Sequence, residues 1–204
     1  MTIDFPIRFR TAEAADAAAI RDIVRAAYAK WVPVIGREPL PMRADYDKAV
    51  AEHPFDLAVA QDRIVGMLGS VLADDHLWIE NLCVAPEAQG KGIGRLLLER
   101  AEGKARKAGR HQLRLLTNGA FEANVSLYKR QGYSVDREEP FMNGSTVYMS
   151  KRIGDDRQSE RGHGCQDQAE ATARPIRDFE AGSWTWHSRL GGRAGFRQHH
   201  QNRG

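Results

Sequence analysis

The stretch from Cys83 to Arg95, CVAPEAQGKGIGR, sets Gly90, Gly92 and Gly94 between a short apolar run and an apolar periodicity of helical spacing. Glycine serves where backbone must approach a ligand closely, and a loop that opens a helix offers unpaired N–H groups to anions. A phosphate-bearing ligand suits this pattern. Two common phosphate motifs can be tested at once. Counted from Gly90, a dinucleotide fingerprint needs glycine where Arg95 stands, and Lys91 precedes a glycine rather than the Ser or Thr of a P-loop. Neither motif fits. A second group lies in NVSLYKRQGY, where Asn124 and Tyr128 stand four residues apart and therefore share a helix face, with Gly132 after them. A third is Glu80, the carboxylate in the apolar run HLWIENLCV. Strict alternation there places Trp78, Glu80, Leu82 and Val84 on one face and Cys83 on the other.

The elements that would hold these groups follow from periodicity and breakers. PIRFR reads as extended, and Ile20, Ile23, Val24, Ala27 and Tyr28 recur at amphipathic helix spacing. Pro33, Pro39 and Pro41 interrupt the chain, after which Asp45 can cap a short helix running to about His53. DLAVA, RIVGMLGSVLA and HLWIENLCV are separated by polar turns around Asp62 and around Asp74 and Asp75, the pattern of an antiparallel meander. Asp74, Asp75 and His76 read as solvated turn residues. The glycine stretch then opens a helix with Ile93, Leu96, Leu97, Ala101, Ala105 and Ala108 along one side, ending at Gly109. QLRLLT follows as a strand, and a strand–helix–strand unit implies a parallel pair with a right-handed crossover. A helix from about Phe121 to Gly132, then GYSVDRE and STVYMSKRI around Asn143 and Gly144, complete an α/β fold with a mixed sheet.

Gln89-Gly90-Lys91-Gly92-Ile93-Gly94 matches Q/R-x-x-G-x-G/A directly after a strand and at the start of a helix. In this, and in element order over roughly residues 8–152, the chain resembles the GCN5-related N-acetyltransferases. The resemblance implies a mixed, mostly antiparallel sheet with a splayed parallel pair, and acetyl-CoA as cosubstrate. It implies that the backbone of Leu82, Cys83 and Val84, the turn Gln89, Gly90, Lys91, Gly92, Ile93, Gly94 and Arg95, and the side chain of Asn124 bind that cosubstrate. Acetyl transfer to an amine requires a neutral nucleophile, whereas alkyl amines have pKa values near 10. Glu80 is the candidate base, directly or through a water. Tyr128 is the candidate acid, since a hydroxyl beside the departing thiolate can return a proton to it. The oxyanion donor implied is the backbone N–H near Leu82. Cys83 as an acylated nucleophile is the rival account, opposed by its place on the far face and the lack of a paired His. The family's acceptor site lies under the first two helices, where Tyr28, Trp31, Met42 and Tyr46 could wall a small, partly aromatic pocket. Arg37, Glu38, Arg43 and Asp45 carry both signs and select no acceptor charge.

Composition bounds the remaining possibilities. A chain of 204 residues makes one domain of ordinary size, or one with a tail. Its formal charge of +3 does not argue for nucleic acid or membrane. Cys83 and Cys165 give neither a disulfide framework nor a metal spacing, and no run approaches the ~20 apolar residues of a membrane span. A cytoplasmic protein with a small-molecule amine substrate is expected, with a homodimer possible from the resemblance. The catalytic domain is expected over 1–153. Residues 154–204 hold Ile176, Phe179, Leu190 and Phe196 as their only Ile, Leu, Val or Phe, too little apolar surface to offset ordering entropy, and read as a disordered tail. Two other classes of function remain open. One is an acyl-CoA-binding sensor or interaction module without turnover; the other is nucleic-acid association through the basic, Trp-containing tail.

Overall fold

The computed structural model describes residues 6–154. The tail expectation for 154–204 therefore lies, from residue 155 onward, outside the described residues. Seven strands form one sheet in the order β1-β2-β3-β4-β5-β7-β6. They are β1 (Arg8–Thr11), β2 (Phe55–Ala60), β3 (Arg63–Leu72), β4 (Leu77–Val84), β5 (Gln112–Asn118), β6 (Ser134–Phe141) and β7 (Gly144–Arg152). All neighbours are antiparallel except β4 and β5, the parallel pair the glycine-led crossover requires.

Among the described residues five helices, α1 (Ala17–Tyr28), α2 (Val32–Ile35), α3 (Tyr46–Glu52), α4 (Ile93–Lys107) and α5 (Glu122–Arg130), accompany the sheet. In α1 the apolar stripe is buried as its spacing dictates: Ile20, Ile23, Val24 and Ala27 are core, the Ile and Val side chains contributing roughly 1.5–3 kcal/mol of burial each. The Asp45 carboxylate accepts the Lys48 N–H at 3.1 Å and starts α3, as expected. Between α1 and α3 the proline-rich connection folds into 3-10 turns and α2, which stops at Gly36 in the left-handed region. The α4 stripe includes Leu98, which the periodicity missed, while Leu96 is only half-buried. α4 ends as expected: Gly109 takes φ +66° and the Arg110 N–H reaches back to the Ala105 carbonyl at 2.8 Å.

α1 and α3 pack on one face of the sheet and α4 on the other. On the α4 face Asp56, only 4% exposed, accepts from Arg100 Nε and Lys104 Nζ, both at 2.7 Å, and Lys104 also reaches Ser70 Oγ at 3.0 Å. Register assigns the other positions, because directly opposed residues of neighbouring strands share a face.

β4 departs from strict alternation. Gly69 opposes Asn81 but Ser70 opposes Ile79, so Glu80 is the extra residue of a β-bulge. Glu80 stays on the side of Trp78, and the residues beyond it change sides. Leu82 and Val84, opposite Leu68 and Gly66, turn to α4, where a Cβ on Gly94 would touch both. Asn81 and Cys83 turn to α1 and α3. The expectation that Cys83 lies opposite Glu80, with Leu82 and Val84 beside Glu80, is corrected by this one inserted residue.

A second correction concerns His76. Asp74 and Asp75 are exposed as expected, but His76 is only 2% exposed, with Nδ1 2.5 Å from Asp75 Oδ1. Asp75 in turn accepts from Arg114 at 3.0 Å, which ties the start of β4 to β5.

Candidate active site

The bulge coincides with a gap in the sheet. β4 and β5 pair through Leu77 with Leu113, Trp78 with Arg114 and Ile79 with Leu115, and no further. From Glu80 on, the β4 edge that faced β5 is unpaired. The Ala85 N–H donates to the Val65 carbonyl at 2.9 Å, which makes that opposed pair a bonded one. Bonded and non-bonded pairs alternate along an antiparallel ladder, so Leu82 and Val84 direct their N–H and C=O groups into the gap. The Val84 carbonyl there accepts from Gln89 Nε2 at 3.0 Å. The Leu82 N–H is the donor the gap presents.

The glycine turn stands at the gap's end. Gly90 and Gly92 adopt φ +76° and +83°, which L side chains rarely take, and a Cβ at either would meet nothing within 4 Å. Glycine is needed there for backbone conformation. Gly94 has a different reason: a Cβ would come to 3.4 Å from Leu127 Cδ2 of α5. Gly92 is the N-cap of α4 without a side-chain cap, and the first helical bond is Leu96 N–H to the Gly92 carbonyl at 3.1 Å. The N–H groups of Ile93, Gly94 and Arg95 are thus left for an anion at the positive end of a 15-residue helix. This is a cradle that fits a pyrophosphate. Ile93 itself is buried and anchors the turn, while Lys91 and Arg95 are exposed, Arg95 pairing with Glu99 at 2.7 Å. The Gln89 amide is engaged at both ends, since its Oε1 accepts from Lys30 Nζ at 2.8 Å.

The face that carries Glu80 gathers the reactive side chains. Glu80 is half-buried and has no ion pair or hydrogen bond among the described residues; burial alone raises its pKa from 4.5 to about 8. Tyr128, from α5, is 6% exposed, and burial with the neighbouring Cys83 pushes its pKa up to about 12. Its hydroxyl has no hydrogen-bond partner among the described residues, where only Tyr133 Oη is both sealed from solvent and unpartnered, so Tyr128 Oη is reachable. Asn124, one turn earlier on α5, is half-buried. Cys83 is a free thiol, also pushed up to about 12 by burial, and stays unionised at neutral pH. Its chemistry, not its face, now opposes a nucleophilic role.

The four residues expected to wall an acceptor pocket divide. Tyr28 and Trp31 are half-buried and form an aromatic wall with Phe121, which stacks on Trp31 at 4.5 Å and meets Tyr28 edge-on at 6.3 Å. Met42 and Tyr46 are core: Tyr46 is 1% exposed, with its hydroxyl bonded to the Pro41 carbonyl at 3.0 Å. Sequence reasoning missed Phe121 and Asn81. Asn81 is buried and bonds both Tyr28 and Tyr46; a lone amide inside an apolar strand was the available signal.

Comparison with known proteins agrees with this geometry. A 57-residue segment is 44% identical to an IAA acetyltransferase of Azospirillum brasilense, covering 28% of this chain and 37% of that protein. The chain therefore spans little more than a third of that relative's length. The PaiA N-acetyltransferase from Thermoplasma acidophilum, solved in complex with coenzyme A, superposes with a TM-score of 0.64 at 20% identity, over 72% of this chain and 99% of that one. The ribosomal-protein-S18-alanine N-acetyltransferase from Escherichia coli gives 0.59 at 20% identity, over 72% and 94%. These two show a shared fold. The model of the acetyltransferase (GNAT) family matches residues 18–133, more than half of the sequence, and the chain belongs to that family of acetyl-CoA-dependent enzymes.

Proposed function

We propose that the protein transfers the acetyl group of acetyl-CoA to a primary amine of a small molecule, by direct attack within a ternary complex. The observation that carries this reading is the coincidence at Glu80: the bulge, the end of β4–β5 pairing and an unpaired carboxylate with a pKa of about 8 fall at one residue. The turn from Gln89 to Arg95 and Asn124 hold the cosubstrate, which supplies the acyl thioester. Glu80 takes one proton from the ammonium of the acceptor, which frees its lone pair for attack on the acyl carbon. The Leu82 N–H donates to the acyl oxygen as charge gathers there. Tyr128 Oη gives its proton to the sulfur as the C–S bond breaks, and regains one from the nitrogen as the amide forms. Glu80 then releases its proton to water, so the reaction yields amide, thiol and one net proton. Trp31, Tyr28 and Phe121 favour an acceptor with an apolar or aromatic body beside its amine.

Calorimetry with acetyl-CoA, followed by an amine panel scored by release of free CoA, tests the reading. Binding is expected, with turnover of at least one small amine. Binding without turnover of any amine or peptide N-terminus would instead establish an acyl-CoA-binding module, and absence of binding would overturn both.

A further inference from the structure

One hydrogen-bonded chain on the Glu80 face has a direction that can be read from its sealed end. The Pro41 carbonyl can only accept, so the Tyr46 hydroxyl spends its proton on it at 3.0 Å. The Tyr46 oxygen then accepts from Asn81 Nδ2 at 3.1 Å. This fixes the Asn81 amide, whose Oδ1 must face Tyr28 and accepts the Tyr28 hydroxyl proton at 2.9 Å. Asn81 and Tyr46 are buried, at 8% and 1% exposure, and Tyr28 is the half-buried end. Tyr28 therefore has its proton turned inward and only lone pairs left to offer. Its phenol lies within electrostatic reach of Tyr128 and Cys83, and its partner Asn81 is the residue next to Glu80 at the bulge.

We infer that Tyr28 Oη is an accept-only group that receives an N–H of the attacking amine beside the Glu80 carboxylate, and that Asn81 is the positioning residue that fixes its polarity. The inference rests on the proposed amine transfer and adds to it a selection rule. Two acceptors acting on one nitrogen, Glu80 and Tyr28, would both be satisfied by a primary amine, which has more than one N–H to give. A hydroxyl acceptor has a single proton and leaves one of them unmet, at the cost of an unpaired buried polar group. The chain also explains why Asn81 interrupts an apolar strand, since it locks α1, the connection before α3 and β4 together at the residue next to the base.

The test uses the full chain, saturating acetyl-CoA and benzylamine, or whichever panel amine the wild type turns over fastest, with free CoA as the readout. Tyr28→Phe is expected to lower kcat/KM for the amine ~10-fold through KM and kcat together, with acetyl-CoA affinity by calorimetry unchanged. Asn81→Ala should give a similar loss, and the double variant should be no worse than either single one, because both remove the same oriented acceptor. Should Asn81→Ala fail to fold, Tyr46→Phe serves. It keeps the ring but frees the amide to turn over; the melting temperature should fall by a few degrees, because the Pro41 carbonyl loses its donor, and a loss of at least threefold in kcat/KM, measured well below the transition, is expected. Wild-type kcat/KM in Tyr28→Phe, or additive losses in the double variant, would overturn the inference while leaving amine transfer standing. No turnover of any amine by the wild type would overturn the transferase reading and this inference with it.

Discussion

Two carboxylates on opposite faces of the same sheet are treated in opposite ways. Asp56, on the α4 face, has a side chain only 5% exposed and is met by Arg100 and Lys104, each at 2.7 Å. Glu80, on the α1 face, is less buried, yet has no cation among the described residues and its pKa rises to about 8. Burial without a compensating charge is what raises the pKa of Glu80, and the difference at Asp56 is that the fold brings two cations to it. Where a carboxylate ties helix to sheet, α4 supplies two cations one turn apart. At the bulge none is supplied, and the group is left able to gain and lose a proton near neutral pH, as a base must.

The contrast predicts that the two residues fail differently, and Asp56 gives the larger effect. Asp56→Ala leaves Arg100 and Lys104 against the sheet without their counter-charge, which is expected to cost about 3 kcal/mol. For a chain of this size that lowers the melting temperature by roughly 6–12 °C. Below the transition, kcat and acetyl-CoA affinity should stay within about twofold of wild type. A large fall in kcat at unchanged melting temperature would mean that the α4-face cluster takes part in the reaction and that the comparison has been drawn wrongly.

Glu80→Gln should show the reverse, with the fold intact and kcat/KM down ~10²-fold at pH 8, about 2.7 kcal/mol of transition-state stabilisation. The pH profile sharpens the assignment. Glu80 works when ionised, so wild-type kcat/KM should rise with pH and level off above about 8. Without the carboxylate that limb should disappear, and the remaining rate should climb toward the ionisation of the acceptor amine itself, near 10. A variant that retains the limb near 8 would remove Glu80 from the role of base.

How much of this was legible in the chain differs between the two faces. The glycine turn, the α4 stripe and the parallel pair could be read because each is a local pattern: alternating glycines, 3.6-residue spacing, and a strand–helix–strand order. Glu80 was also found, as a carboxylate in an apolar run. Its surroundings were not, because a bulge is a property of two strands. Nothing in HLWIENLCV alone says that Gly69 and Ser70 will oppose residues two apart, and the faces assigned to Leu82, Cys83 and Val84 were reversed in consequence. Asp56 was missed for a related reason. Its partners stand 44 and 48 residues away on α4, so a charged residue in DLAVA carries no mark of the cations it will meet. His76 likewise read as a turn residue until Asp75 and the Trp78 ring, 6.2 Å away, enclosed it.

The smallest predicted effect separates the two carboxylates by stability alone. The folded-state pKa of Glu80, about 8, lies above its ordinary 4.5, so the native state holds this proton more tightly than the unfolded chain does. Below about pH 4.5 both states are protonated and the group favours neither. As pH rises toward 8 the unfolded chain has already lost the proton, and stability falls until the native carboxylate ionises as well. Because Glu80 is only half-buried, solvent screening limits the loss to on the order of 1 kcal/mol. Glu80→Gln removes it. Thermal melts at pH 5 and pH 9 should therefore show the variant gaining on wild type by a few degrees at the higher pH and matching it at the lower. Parallel melting curves across that range would mean that Glu80 has a compensating partner after all, and the contrast with Asp56 would collapse into a difference of degree.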